Sequence, residues 1–162
     1  MTTQNYKSIA SKLDFEGRAF IDGKYVDAID GQKFENINPA TGEILCTVAK
    51  CNYKDVDLAV KSSRKAFESG VWSRTSPEFR KDILLKFAEL LRKHGEDNSV
   101  LECVDTGKLI GDCIDEVADD APMHFQWYGE LIDKVFGKVG PTDPSITSLI
   151  VKEPIGVVAG VV

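Results

Sequence analysis

Histidine and cysteine are scarce in this 162-residue chain, with two of the first and four of the second. A structural zinc site asks for Cys-x-x-Cys or paired histidines, and Cys46, Cys51, Cys103, Cys113, His94 and His124 offer neither spacing. Four irregularly spaced thiols also fall short of a disulfide framework and suit a reducing compartment. They read as packed or surface thiols. Cys103 or Cys113 could act as a nucleophile only with a His and an Asn beside it in space, and the sequence names no such partner.

Positive charge is outnumbered, 20 Lys and Arg against 26 Asp and Glu, for a formal net charge of -6. That argues against a nucleic-acid binder relying on a basic field. No apolar run approaches the ~20 residues of a membrane span; the longest is 155–162. The opening residues 1–7 lack the apolar core of a secretion signal and the arginines of a transit peptide. A cytoplasmic location with no membrane or nucleic-acid partner is expected. GxGxxG, the Walker loop, GxSxG and HExxH are all missing. What is present is ordinary for a folded domain, 43% hydrophobic and 28% charged residues, in a length that suits one self-sufficient core.

Periodicity divides the chain. After a short helical opening around 6–13, Asp22-Gly23 between β-prone runs predicts a two-residue hairpin turn. Asn38-Pro39-Ala40-Thr41-Gly42 separates two further strands. The period then becomes helical. A helix over 53–69, capped by Asn52 and stopped at Gly70, should bury Val56, Ala59, Val60, Ser63 and Phe67. A second begins at Ser76-Pro77, should bury Phe79, Ile83, Phe87, Leu90 and Leu91, and should end or bend at Gly95. A shorter helix over 97–105 follows, then a long one over 112–135 with a kink or restart at Pro122. Residues 137–144 read as a turn-rich bridge and 145–152 as a half-exposed strand. Residues 155–162 do not alternate, so they read as a buried parallel strand. Its partner strands are not in the sequence, so the chain reads as an α/β fragment.

Several short stretches, in this order, carry a resemblance covering about residues 15–162. They are Phe20-Ile-Asp-Gly-Lys-Tyr-Val26, Asn38-Pro-Ala-Thr-Gly-Glu-Ile44, Asp55-Val-Asp-Leu-Ala-Val60, Trp72-Ser73, Leu101-Glu-Cys-Val-Asp-Thr-Gly-Lys108, Trp127-Tyr128 and Glu153-Pro-Ile-Gly-Val-Val158. The chain resembles the N-terminal third of the NAD(P)-dependent aldehyde dehydrogenase superfamily. Val104-Asp-Thr-Gly-Lys108, Asp119-Asp-Ala-Pro122 and Ile132-Asp-Lys-Val-Phe-Gly137 make it most similar to the aminoaldehyde group, particularly the γ-glutamyl-γ-aminobutyraldehyde dehydrogenases. It departs from the family at Leu109, where a proline is usual.

The resemblance implies a Rossmann-like fold in three parts. Residues 1–136 would begin the cofactor-binding domain, 137–153 form an oligomerisation arm, and 154–162 supply the first parallel strand of the cofactor sheet. The family's nucleophilic cysteine, general-base glutamate and oxyanion-hole asparagine belong to motifs that follow this strand, and none of those motifs occurs here. In the complete enzyme they would carry thiolate attack on an aldehyde, hydride transfer to NAD or NADP and thioester hydrolysis to an acid. The chain alone is expected to be inactive. A homo-oligomer, dimer or tetramer, is implied as partner. The alternative is a naturally truncated, inactive interaction or structural fragment.

The resemblance also assigns roles to particular residues. A monovalent cation would be held by the Ile37 carbonyl and Asp105, with helix or loop capping as the plainer use of Asp105. Val161 and Val162 would line the nicotinamide side of the cofactor site. Glu116 and Asp120 would border the substrate entrance, where acidic groups attract a cationic aminoaldehyde; a solvated helix face is the plainer reading of them.

Overall fold

The computed structural model describes residues 3–161. Helix α1 (Thr3–Ala10) precedes strands β1 (Ala19–Ile21) and β2 (Lys24–Val26), which pair antiparallel. The turn between them is the expected one, with φ of 53° at Asp22 and 76° at Gly23, the two positive values a type I′ turn requires. Strands β3 (Lys33–Ile37) and β4 (Ile44–Ala49) pair antiparallel across residues 38–43, with a register slip between Asn36 and Ile37 that leaves Leu45 as the extra residue.

The helical section opens with α2 (Tyr53–Ser69). The Asn52 side chain accepts from the Lys54 N–H at 2.8 Å, and Asp55 accepts from the Asn52 N–H at 2.8 Å, forming a capping box. The other Asp55 oxygen accepts from the Ile29 N–H at 2.9 Å. One carboxylate, 3% exposed, therefore fastens the segment after β2 to the start of α2. Gly70, at φ 76°, closes the helix. The expected burial of one α2 face is corrected here, because Val56 and Val60 are exposed and Asp55 is the helix's buried residue. Ala59 and Phe67 of the same stripe are half-buried.

Helix α3 (Pro77–Lys93) starts as expected, with Ser76 accepting from the Phe79 N–H at 3.1 Å and Pro77 in the first turn. Its buried face differs from expectation. Phe79, Ile83, Phe87 and Leu90 are exposed, while Leu84, Leu85, Ala88 and Leu91 turn inward. The reason is Gly129 on the last long helix, which is buried against Leu84 and Leu85 and lets the two helices approach closely. Phe87 and Phe125 meet edge to face beside this contact, centroids 4.7 Å apart.

Helix α3 ends at Lys93, next to the expected break at Gly95, and Gly95 opens α4 (Gly95–Thr106). A Cβ added there would lie 2.8 Å from the Ala118 Cβ, so the glycine serves close approach. The expected long helix is four pieces in continuous sequence: α5 (Ile110–Cys113), a π-helical segment (Ile114–Asp120), α6 (Ala121–Leu131) and a 3-10 turn (Ile132–Lys134). The interruption falls where Pro122 predicted it.

Strands β5 (Lys138–Gly140) and β6 (Ser148–Ile150) form an antiparallel hairpin. Residues 137–144 are thus partly strand and not simply a bridge; three residues are too few to show an alternation. A second correction concerns 155–161, which form no strand and leave Ile155 93% and Val161 96% exposed. A parallel strand needs flanking strands, and the described residues hold only three two-stranded antiparallel sheets. The chain as a whole exposes 12169 Å², against roughly 8,000 Å² for a compact monomer of this size. Among the described residues, no helix is long and apolar enough to cross a membrane.

Replacing Asn52 by Ala should destabilise the fold by about 1 kcal/mol, the usual contribution of an N-cap. Asp55→Ala should lower the urea midpoint further by leaving two N–H groups unpaired. The hydrogen bonds from Asn52 and Ile29 hold the Asp55 carboxyl below its ordinary range. Its contribution is therefore present above about pH 4 and lost as pH falls through the lowered folded value. Urea titrations between pH 2 and 7 should show a shallower acid slope in Asp55→Ala than in the native chain.

Candidate functional site

Two neighbourhoods hold the side chains to which the sequence assigns chemistry, and a third holds the exposed terminal segment. The first lies where β3, its turn and the end of α4 meet. Asn36 donates from its side-chain amide to Asp105 at 2.5 Å, across 69 residues. Gly107 ends α4 at φ 75° and is packed so tightly that an added Cβ would sit 2.7 Å from the Pro39 ring. These two contacts bring the strand end at Ile37 and the carboxylate of Asp105 into one region. The carbonyl and carboxylate oxygens there are donors of the kind a hard monovalent cation accepts. Among the described residues, no group of three His, Cys, Asp or Glu side chains could hold a metal ion.

The second neighbourhood is the acidic helix face. The Lys108 ammonium donates to Glu116, and this hydrogen bond raises the lysine's pKa against the opposing effect of desolvation. Glu116 is consequently engaged by the chain itself. Asp120 ends the π segment with its side chain exposed, and its backbone carbonyl accepts from His124 Nδ1 at 2.8 Å. Since a carbonyl can only accept, Nδ1 carries a proton in this contact. Of these two carboxylates, Asp120 is the freer.

Neither thiol named as a possible nucleophile gains support. Cys113 is fully buried, and desolvation, with Cys103 nearby, pushes its thiol up. A thiol held protonated and out of contact with solvent is inert.

In the third neighbourhood, residues 152–158 run along α2 and α3. With Ser63, Phe67, Trp72 and Arg80 they line an open groove of about 730 Å³. Beyond it Val161 projects into open space; Val162 lies outside the described residues. The structure thus collects Ile37 with Asp105 and Glu116 with Asp120, and leaves Val161 apart from both pairs. Sequence reasoning missed Asn36 and Lys108. Asn36 sits in a β-run that carries no motif signal. Lys108 stands in a quoted motif, but its partner eight residues away becomes visible only once the chain turns at Gly107.

Comparison with known proteins gives a consistent picture. The model of the aldehyde dehydrogenase family matches residues 25–162. The chain is 42% identical over 158 residues to aminoacetaldehyde dehydrogenase of Pseudomonas aeruginosa, covering 98% of this chain and 32% of that protein. It is 39% identical over 153 residues to the NADP/NAD-dependent aldehyde dehydrogenase PuuC of Escherichia coli, covering 94% and 31%. Among solved structures, P. syringae AldA indole-3-acetaldehyde dehydrogenase in complex with NAD+ and IAA superimposes with a TM-score of 0.92 at 38% identity, over 96% of this chain and 32% of that one. The chain therefore spans about a third of the length of the curated relatives it matches.

The Gly107–Pro39 contact is open to test. Gly107→Ala should destabilise by about 1 kcal/mol or more, combining a disfavoured positive φ with the ring contact. Urea denaturation should show the shift, and an unchanged midpoint would mean that the α4 end and the β3–β4 turn move apart freely.

Proposed function

The chain belongs to the aldehyde dehydrogenase family, and from that premise we propose that it forms the N-terminal part of an enzyme that oxidises an aldehyde to a carboxylic acid with NAD or NADP. In the finer reading the substrate is an aminoaldehyde. The observation that carries this finer reading is the exposed, unengaged Asp120 carboxylate next to Glu116 on one acidic face. Positions four apart project from the same side of a helical segment, where they would attract an ammonium group to the substrate entrance. The similarity to an aminoacetaldehyde dehydrogenase supports the same choice.

The cofactor, when bound, supplies the hydride acceptor. This chain's part in holding it is the segment ending at Val161 and Val162. An added Cβ at Gly160 would meet nothing within 4 Å, and Val161 is almost wholly exposed. A planar ring or a flanking strand therefore has room there. Ile37 and Asp105 would hold a monovalent cation, with Asn36 fixing the carboxylate by the hydrogen bond it already makes. The hairpin β5–β6 would serve as the oligomerisation arm of a homo-oligomer, since Val139 and Leu149 stay exposed on a two-stranded ribbon that can be extended by pairing with another strand. A cytoplasmic location fits the residue content. A second reading, an inactive interaction fragment, is favoured by one observation, the many large apolar side chains left exposed.

Two experiments test the first reading. The purified 162-residue chain should produce no NADH from any aldehyde, because the residues it would need for covalent catalysis are not in it; turnover above background would overturn the assignment. In the full-length enzyme, Asp120→Asn should raise KM for a cationic aminoaldehyde by roughly fivefold, the scale of one partly solvated charge pair. An uncharged aldehyde of equal length should be nearly unaffected, and the difference should shrink in high salt. Equal effects on both substrates would assign Asp120 to the helix and not to the substrate.

A further inference from the structure

The π-helical segment Ile114–Asp120 spans seven residues. Helices of this kind are rare and mostly appear as single turns, frequently at functional sites. Immediately after it comes Pro122, less than 2% exposed. In an α-helix the N–H of residue 122 would bond to the Ala118 carbonyl, and proline has no N–H to give. The Ala121 N–H reaches five residues back, to the Glu116 carbonyl.

One packing contact lies within this irregularity and another beyond it. Inside the segment, Ala118 abuts Gly95 of α4; downstream, Gly129 rests on Leu84 and Leu85 of α3. Residues eleven apart on an unbroken α-helix fall within roughly 20° of one another at about 100° per residue. Here they meet two different helices. A π turn accommodates one extra residue, which rotates the upstream stretch against the downstream one by roughly the 100° that a residue occupies. The segment thereby lets both contacts exist at once, and the carboxylates of Glu116 and Asp120 ride on the rotated stretch.

We infer that Pro122 is a positioning residue for the acidic entrance: by denying the α-helical bond at its own position it fixes the π register of residues 114–120, and that register aims Asp120. The inference rests on the entrance role of Asp120 proposed above. Lys108 holds Glu116 from outside the segment, but it acts on a side chain and not on the backbone register.

The test is Pro122→Ala in the full-length enzyme, by crystal structure and by kinetics. The Ala121 N–H should move from the Glu116 to the Val117 carbonyl, and the new N–H at position 122 should bond to Ala118. KM for a cationic aminoaldehyde should rise about fivefold with kcat unchanged, and KM for a neutral aldehyde should stay within about twofold, as expected for a lost entrance charge. A π register retained in the variant would overturn the inference. So would an α register that leaves cationic KM unmoved in an enzyme where Asp120→Asn does raise it. If Asp120→Asn has no effect either, it is the entrance reading that fails. Should Pro122→Ala not fold, Lys108→Gln, altered only at a surface ion pair, gives the answer. It should keep the π register while lowering the cationic KM by freeing Glu116, and relaxation to an α-helix there would make the ion pair, not the proline, the determinant.

Discussion

Gly129 seats α6 directly on Leu84 and Leu85 of α3, and the arrangement of the helical section depends on this contact. It turns α3 so that Leu84, Leu85, Ala88 and Leu91 face inward, and it leaves Phe79, Ile83 and Leu90 to the outside. With α6 fixed, the chain just upstream has to reach α4 at Gly95, and it does so through the π segment. The acidic face and the Lys108 ion pair are therefore consequences of where two helices touch. A small residue at a crossing point sets helix separation, and close packing passes that constraint along the chain.

Local features were the legible ones. The Asp22-Gly23 turn, the Asn52 cap, the Gly70 stop and the Ser76-Pro77 start each depend on a few adjacent residues, and each stands where the sequence puts it. The interruption at Pro122 was legible for the same reason, although a missing N–H does not say that the backbone responds with a π turn. Burial was less legible. Helix α3 is apolar on more than one side, so periodicity could not choose between the face around Phe79 and Ile83 and the face around Leu84 and Ala88. The partner glycine, some forty positions away, made that choice. Within the candidate site, Asp105, Glu116 and Asp120 were named through family motifs. Their partners Asn36 and Lys108 could not be, because each contact is created by a chain reversal that no single stretch encodes.

The exposed apolar surface has a functional meaning. Val56 and Val60 on α2, Phe79 and Ile83 on α3, and Ile155, Val158 and Val161 near the end of the chain are all open to solvent. Large apolar side chains exposed together, on a chain whose total surface is well above that of a compact monomer, mark surfaces that bind other protein surfaces. The relatives that match are about three times as long, and their additional length is the natural source of that cover. On this account the entrance face is formed within the chain, by α4, the π segment and α6. The cofactor segment is not, because it lacks neighbouring strands.

That contrast can be measured directly by amide hydrogen exchange on the purified chain. The account predicts slow exchange through the α3–α6 contact around Leu84, Ala88 and Gly129, and exchange at the unprotected rate across residues 155–161. Protection of 155–161 comparable to that of α6 would show that the segment is already paired in a sheet, and would contradict the claim that this chain supplies the entrance and leaves the cofactor site to be completed.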